Sequence, residues 1–522
     1  MSEITRREFG QTMVGGMGAS VLGEHAGAVR QSEQPGRPNI LFICSDQHSG
    51  RMLGSAGHAL VRTPNLDRLA SMGVLFKNAY SGNPVCVPAR ASMMTGRFAS
   101  DVGSYCNSTP FDGRAPTWGN LLRQSGYFCW ATGKLDLKEG RDYGFEESGT
   151  SHGHSSSPDI TSLFRRPVCY RVDERRSIDG SFQERADHDE ETLNATLTFL
   201  ENEARRLGKP WVAYVGLQKP HPPFVAHARY RHLYPEYNIP MPNLPPGYLE
   251  TLHLPLQILR SFKMISTPIP EERVRRARAA YYGMVTELDD NIGGFLDRLR
   301  QDGLLENTLI VYTSDHGEML GENGLWLKNV LLEGAARVPI ILVGAGLPQG
   351  KVVDTPVAHV DLVATLLDVA GVPLPRGLRG SSLLPLVQGR ASTHPGYAFS
   401  ESHSEGNCTG SFLVRKGDWK YVHYTWYGNL LFNLKEDPWE LNNLSGKPEF
   451  AAAEKELHTT LTSLVDPEAV TNQAFKEQDR ILQQIIRNMG ADQFLKELTG
   501  RLGAGQATVL TRRYYEKQVA GG

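Results

Sequence analysis

Apolar positions along the chain follow two rhythms that alternate. Consecutive apolar runs occur at Ile40-Leu41-Phe42-Ile43, Trp211 to Leu217, Leu309 to Tyr312 and Val338 to Val343. Runs with no polar face read as strands buried on both sides. Between them lie helical patterns: Leu288, Ile292, Phe295, Leu296 and Leu299 recur along one face, and Gly303 stops that helix before the strand at Leu309. Strand–helix alternation predicts an α/β fold, a mostly parallel sheet covered by helices on both faces. In such sheets ligands bind beyond the carboxyl ends of the strands, and Asp46 and Asp315 fall there.

The rhythm breaks at Pro373 to Gly396, a proline- and glycine-rich stretch that reads as a boundary between a domain over residues 37–385 and a smaller one over 396–522. Beyond it, Phe412-Leu413-Val414, Trp419-Lys420-Tyr421-Val422 and Leu430-Leu431-Phe432 predict an antiparallel meander, followed by helices from about Ala451. At the other end, Thr5-Arg6-Arg7-Glu8-Phe9, the weakly apolar stretch from Met13 to Leu22 and Ala26-Gly27-Ala28 match a twin-arginine export signal over residues 1–28. The expected product is periplasmic or extracellular. No membrane anchor is expected, since even the stretch from Val357 to Leu374 is interrupted by Asp361 and Asp368.

Composition narrows the partners. A net charge of −2 argues against a nucleic-acid or anionic-membrane binder, and the cluster Arg273, Arg275, Arg276, Arg278 reads as a solvated helix face. The 6 cysteines contain no CxxC pair, so a zinc ribbon is excluded and each cysteine is weighed singly.

One cysteine stands out by context. Cys86-Val87-Pro88-Ala89-Arg90 is followed by Thr95-Gly96-Arg97. Pro88 suits the first turn of a helix, which puts Cys86 at a helix start, where free N–H groups favour an anion. Alone, that reads equally well as a structural cysteine. With Thr63-Pro64-Asn65-Leu66-Asp67, Gly133-Lys134, Pro220-His221-Pro222, Ser314-Asp315-His316-Gly317-Glu318 and Asp437-Pro438-Trp439-Glu440, the chain resembles the type I sulfatases of the alkaline-phosphatase-like superfamily from about Asn39 to beyond Leu444.

The resemblance implies a central mixed, mostly parallel sheet flanked by helices, and a smaller C-terminal α+β domain. It implies hydrolysis of sulfate esters, with Cys86 converted to formylglycine by a maturation enzyme. A serine attacking sulfur would leave a stable sulfate ester. A hydrated aldehyde attacks with one hydroxyl, and its second expels sulfate by carbon–oxygen cleavage. Asp46, Gln47, Asp315 and His316 match the family's metal ligands, with Cys86 completing the set. Three oxygen donors among those four suit Ca²⁺, and the imidazole admits Mn²⁺ or Zn²⁺. Arg90 matches the arginine supporting this shell, Lys134 and Lys328 the lysines that hold sulfate, and His221 the histidine that protonates the departing alcohol.

One position departs from the pattern. Where many relatives have Gly-Lys-x-His, this chain has Gly133-Lys134-Leu135-Asp136. Asp136 either takes the diol proton or orients Lys134, and His152 and His154 are alternative bases. That run, Trp118 and the Trp419-Lys420-Tyr421 strand resemble the arylsulfatase K branch, which implies removal of 2-O-sulfate from glucuronate. Gln47 also occurs in choline sulfatases and phosphonate monoester hydrolases. The expected substrate is therefore a sulfated glycan, with a 2-O-sulfated uronate preferred. Arg165, Arg166, Arg171, Arg175 and Arg176 are candidates to hold its carboxylate. The rivals are a choline sulfatase or a phosphonate or phosphodiester hydrolase on the same scaffold and, from another class, a non-catalytic glycan-binding pseudoenzyme.

Overall fold

The apolar runs become the strands of one ten-stranded sheet. Asn39–Ser45 lies at its centre, parallel to Thr308–Ser314 on one side and to Trp211–Gly216 on the other. Phe128–Lys138 continues the parallel set beyond Trp211–Gly216. Arg337–Val343 runs antiparallel to both Thr308–Ser314 and Val74–Tyr80, so the sheet is mixed. This computed structural model describes residues 36–147, 152–154, 159–164, 169–184 and 188–519, with only the backbone of His152–His154 and of residues 516–519. The export segment, Arg165 and Arg166 lie outside the described residues. Among those residues, no helix is long and apolar enough to cross a membrane.

Each face of the sheet is closed by helices whose apolar positions point inward. On one face Leu41, Ile43, Val215 and Tyr312 pack against Leu288, Ile292, Phe295, Leu296 and Leu299 of the 31-residue helix Glu271–Gln301. Five such side chains contribute on the order of 10 kcal/mol of burial free energy. On the other, Phe42, Tyr214 and Val311 meet Trp118, Met93, Met94 and the helix His359–Val369. Trp118, singled out in the sequence, is a fully buried core residue.

The compact unit beginning at Arg37 continues through the proline-rich stretch, where Leu383 and Val387 are buried in the second of these cores. A four-stranded antiparallel sheet follows: Tyr397–Ser402, Ser411–Lys416, Trp419–Tyr424 and Gly428–Asn433. The sequence pattern predicts three of these strands. It does not predict the first, YAFSES, because its buried positions include Ser400 and Glu401. Helices from Ala451 to Val519 close the chain.

Candidate active site

The parallel strands collect the polar residues that follow them. Asp46 ends the central strand and Asp315 ends its neighbour; the Asp315 N–H donates to the Ser45 carbonyl at 3.2 Å, which places the two side by side. The helix Cys86–Thr95 starts at the cysteine itself, and Gly96 caps its end with φ 64°. Donor atoms of Asp46, Cys86, Asp315 and His316 all lie within 4.8 Å of one another, and all four residues are buried.

The remaining contacts orient these donors. His316 Nδ1 lies 3.0 Å from the Gly317 carbonyl, which can only accept, so Nδ1 carries the hydrogen and Nε2 is left as a lone-pair donor. Nε2 lies 3.3 Å from Cys86 Sγ and 3.7 Å from carboxylate oxygens of Asp46 and Asp315. The Gln47 amide donates from Nε2 to Glu318 at 2.5 Å, and its buried Oε1 has no hydrogen-bond partner among the described residues. A buried carbonyl oxygen left unsatisfied is costly. Together with two carboxylates and an imidazole, it makes a donor set that fits a divalent cation.

Cations balance the carboxylates. Arg90, fully buried, donates from Nε to Asp315 at 3.0 Å and from Nη1 to the Lys134 carbonyl at 2.6 Å and Tyr214 Oη at 3.0 Å. Lys134 pairs with Asp46 and lies 3.3 Å from Asp136. Lys328 Nζ sits 2.9 Å from Cys86 Sγ. Burial pushes the Cys86 thiol up, as does Asp46, but Lys134, Lys328 and His316 outweigh them and hold it well below its ordinary value. Burial likewise raises the Asp46 carboxyl, and Lys134, His221, Lys328 and His316 reverse it, keeping the group well below the usual carboxylate range.

Lys134 reaches the centre because its strand approaches a neighbour unusually closely. Gly133, at φ 74°, pairs with Gly216; a Cβ on either would lie 2.0 Å from a backbone carbonyl oxygen. Only glycine fits both positions.

His221 joins Asp46, Lys134 and Asp136 in lining a cavity of about 330 Å³. Its Nδ1 lies 2.7 Å from the Pro222 carbonyl, which leaves Nε2 to give or take a proton. Asp136 forms ion pairs with Lys134 and, at 3.8 Å, with Arg90. His152 and His154 pair through their backbone with Lys134 and Lys138, in a short strand beside the site.

The arginine expectation is corrected in part. Arg171 is buried and bonded to Asp159 and Asp173, at 3.0 and 2.6 Å. Arg175 donates to the carbonyls of Met264 and Thr267. Both are committed to packing the segment they belong to. Arg176 is exposed and lines a second cavity of about 250 Å³, which shares Pro223 with the first.

Sequence reasoning assigned no role to Glu318, Tyr214 or Asn107. Glu318 accepts from Gln47 Nε2 and from the N–H groups of Leu320 and Leu327, so one carboxylate orients a metal-ligand candidate and the loop carrying Lys328. Asn107 accepts the Val87 N–H at the helix start. Glu318 lies inside a quoted motif, a signal that was available; the other two have no local signature.

Comparison with known proteins identifies the family and the fold. The family model described as Sulfatase matches residues 38–372, and that described as N-sulphoglucosamine sulphohydrolase, C-terminal, matches 321–466. The chain is similar to the choline-sulfatase of Rhizobium meliloti (strain 1021), 34% identical over 79% of this chain and 83% of that protein. It is 32% identical to arylsulfatase K of Danio rerio over 83% of this chain and 85% of that one. The solved phosphonate monoester hydrolase of Agrobacterium radiobacter superposes with a TM-score of 0.66 at 26% identity, over 82% of this chain and 95% of that chain.

Proposed function

The chain belongs to the sulfatase family of sulfuric ester hydrolases, and we propose that it acts through a formylglycine made from Cys86 on sulfated glycans, preferring a 2-O-sulfated uronate. The observation that carries the mechanism is the seat of Cys86: at a helix start, 2.9 Å from Lys328 Nζ and 3.3 Å from His316 Nε2, inside the four-donor cluster.

Asp46, Gln47, Asp315 and His316 would hold the divalent ion, which when bound supplies Lewis acidity toward sulfate oxygens and the nucleophilic hydroxyl. The donor set favours Ca²⁺, with Mn²⁺ and Zn²⁺ as alternatives. Lys134 and Lys328 bind sulfate oxygens and stabilise the charge that builds as the ester bond breaks. Arg90 keeps Asp315 and Lys134 in place. His221 gives its proton to the departing alcohol, and Asp136 receives the proton released when sulfate leaves. Asp136→Asn is expected to give a burst of alcohol product followed by a steady state slowed about a hundredfold. Rapid-quench kinetics checks this; equal slowing of both phases would instead make Asp136 the residue that orients Lys134.

Two features support the glycan. No Phe, Tyr or Trp is among the described residues lining the larger cavity, so those residues offer a quaternary ammonium no aromatic cage. Arg176 in the adjoining cavity suits the uronate carboxylate. We expect kcat/KM on 2-O-sulfated uronate oligosaccharides to exceed that on 6-O-sulfated hexosamines, choline sulfate and aryl phosphonates, and Arg176→Ala to lower the first about tenfold. Preference for choline sulfate or a phosphonate in that panel would overturn the substrate reading; binding of glycan without cleavage of any ester would point to a pseudoenzyme.

A further inference from the structure

The run that carries His221 is poorly equipped to hold itself in place. Pro220, Pro222 and Pro223 lack N–H groups, so the backbone donors around His221 are few and their partners decide where it sits. Gln218 and Lys219, just before the run, both donate to one carboxylate: Gln218 N lies 2.7 Å from Asp189 Oδ1 and Lys219 N lies 3.0 Å from Asp189 Oδ2. Asp189 is 1% exposed and belongs to the first turn of the helix His188–Asn202.

Past the run, at the end of the strand Phe224–His227, a second carboxylate accepts one backbone N–H. Glu287 Oε2 accepts the His227 N–H at 3.0 Å. Glu287 is 1% exposed and sits in the long helix Glu271–Gln301, which is anchored to the sheet by its apolar face. The Lys219 ammonium links the two ends, 3.4 Å from Glu287 Oε1 and 3.9 Å from Asp189 Oδ2. The Lys219 carbonyl in turn accepts the Asp46 N–H at 3.2 Å, which ties the clamp to the strand end where the metal-ligand candidates begin. At the run's centre His221 N donates internally, to the Gln218 carbonyl at 2.9 Å.

We infer that Asp189, Lys219 and Glu287 form a positioning clamp for His221, holding its imidazole at the leaving-group side of the scissile bond. The inference rests on the sulfatase reading and on His221 as the proton donor. An acid held this way matters in proportion to how badly the leaving group needs a proton. Sulfate esters of acidic phenols leave unaided, whereas esters of sugar hydroxyls and simple alcohols do not. A small displacement of His221 therefore affects poor leaving groups selectively.

The test compares purified, formylglycine-bearing enzyme on 4-nitrophenyl sulfate and on sulfate esters of progressively less acidic alcohols. Asp189→Asn retains the size of the side chain while removing its charge and one of its two backbone acceptors. It is expected to lower kcat/KM on the least acidic alcohol at least tenfold more than on 4-nitrophenyl sulfate, in the same direction as His221→Ala. Glu287→Gln serves as a second variant should Asp189→Asn fail to fold, and it should show the same selectivity. Combining Asp189→Asn with His221→Ala should give no further steepening, because the clamp acts only through the histidine. Equal losses on all esters, or a double variant steeper than His221→Ala, would overturn the clamp. Absence of leaving-group selectivity in His221→Ala would overturn it as well. Failure of the parent formylglycine-bearing protein to cleave any sulfate ester would instead remove the activity reading, an outcome separable from all of these.

Discussion

Cys86→Ala is expected to yield a folded protein with turnover reduced by about four orders of magnitude or more on every sulfate ester. Loss of the side chain removes the group from which the nucleophile is made, and no other described cysteine belongs to the four-donor cluster. The structural cost is small. The residue is 4% exposed, and its backbone stays in the first turn of a helix capped by Gly96. Deleting one buried sulfur costs about 1–2 kcal/mol. Thermal unfolding close to that of the parent protein, together with lost activity, is the expected pair of results. Peptide mass spectrometry of the parent should find formylglycine at position 86; full turnover with unmodified cysteine there would refute the mechanism while leaving the fold and family untouched.

The second large effect concerns the carboxylates. Asp46→Ala and Asp315→Ala should each lose bound divalent metal and activity together, since each deletes a charged oxygen ligand from a hard-cation site. Their stabilities should differ from the parent for another reason. Asp315 is bonded to Arg90, which is fully buried, and also accepts the N–H groups of Gln47 and His316. Removing it leaves a buried guanidinium short of a counter-charge, at a cost of about 3–5 kcal/mol. Asp315→Asn, which keeps acceptors for the two N–H groups, should be milder in stability yet equally poor in metal. Elemental analysis beside thermal unfolding separates the two effects, and undiminished metal in Asp46→Ala and Asp315→Ala would refute the assignment of the ligands.

Much of this was written in the chain. Apolar runs with no polar face had to be buried strands, helical spacing had to cover them, and parallel strands necessarily deliver the residues at their carboxyl ends to one edge of the sheet. That logic brings Asp46 and Asp315 together from the sequence alone, and Pro88 places Cys86 at a helix start, where it is. Such signals are local: each is carried by neighbours within a few residues. The tertiary structure decided the rest. It assigned Arg171 and Arg175 to packing, left Gln47 Oε1 without a partner among the described residues, and showed that Glu318 serves both Gln47 and the Lys328 loop. It also joined Asp189 and Glu287, far apart in sequence, around one proline-rich loop. A buried carboxylate that accepts distant backbone N–H groups leaves no periodicity, spacing or composition behind. Its role exists only once the chain has folded and its partners have been brought within hydrogen-bonding distance.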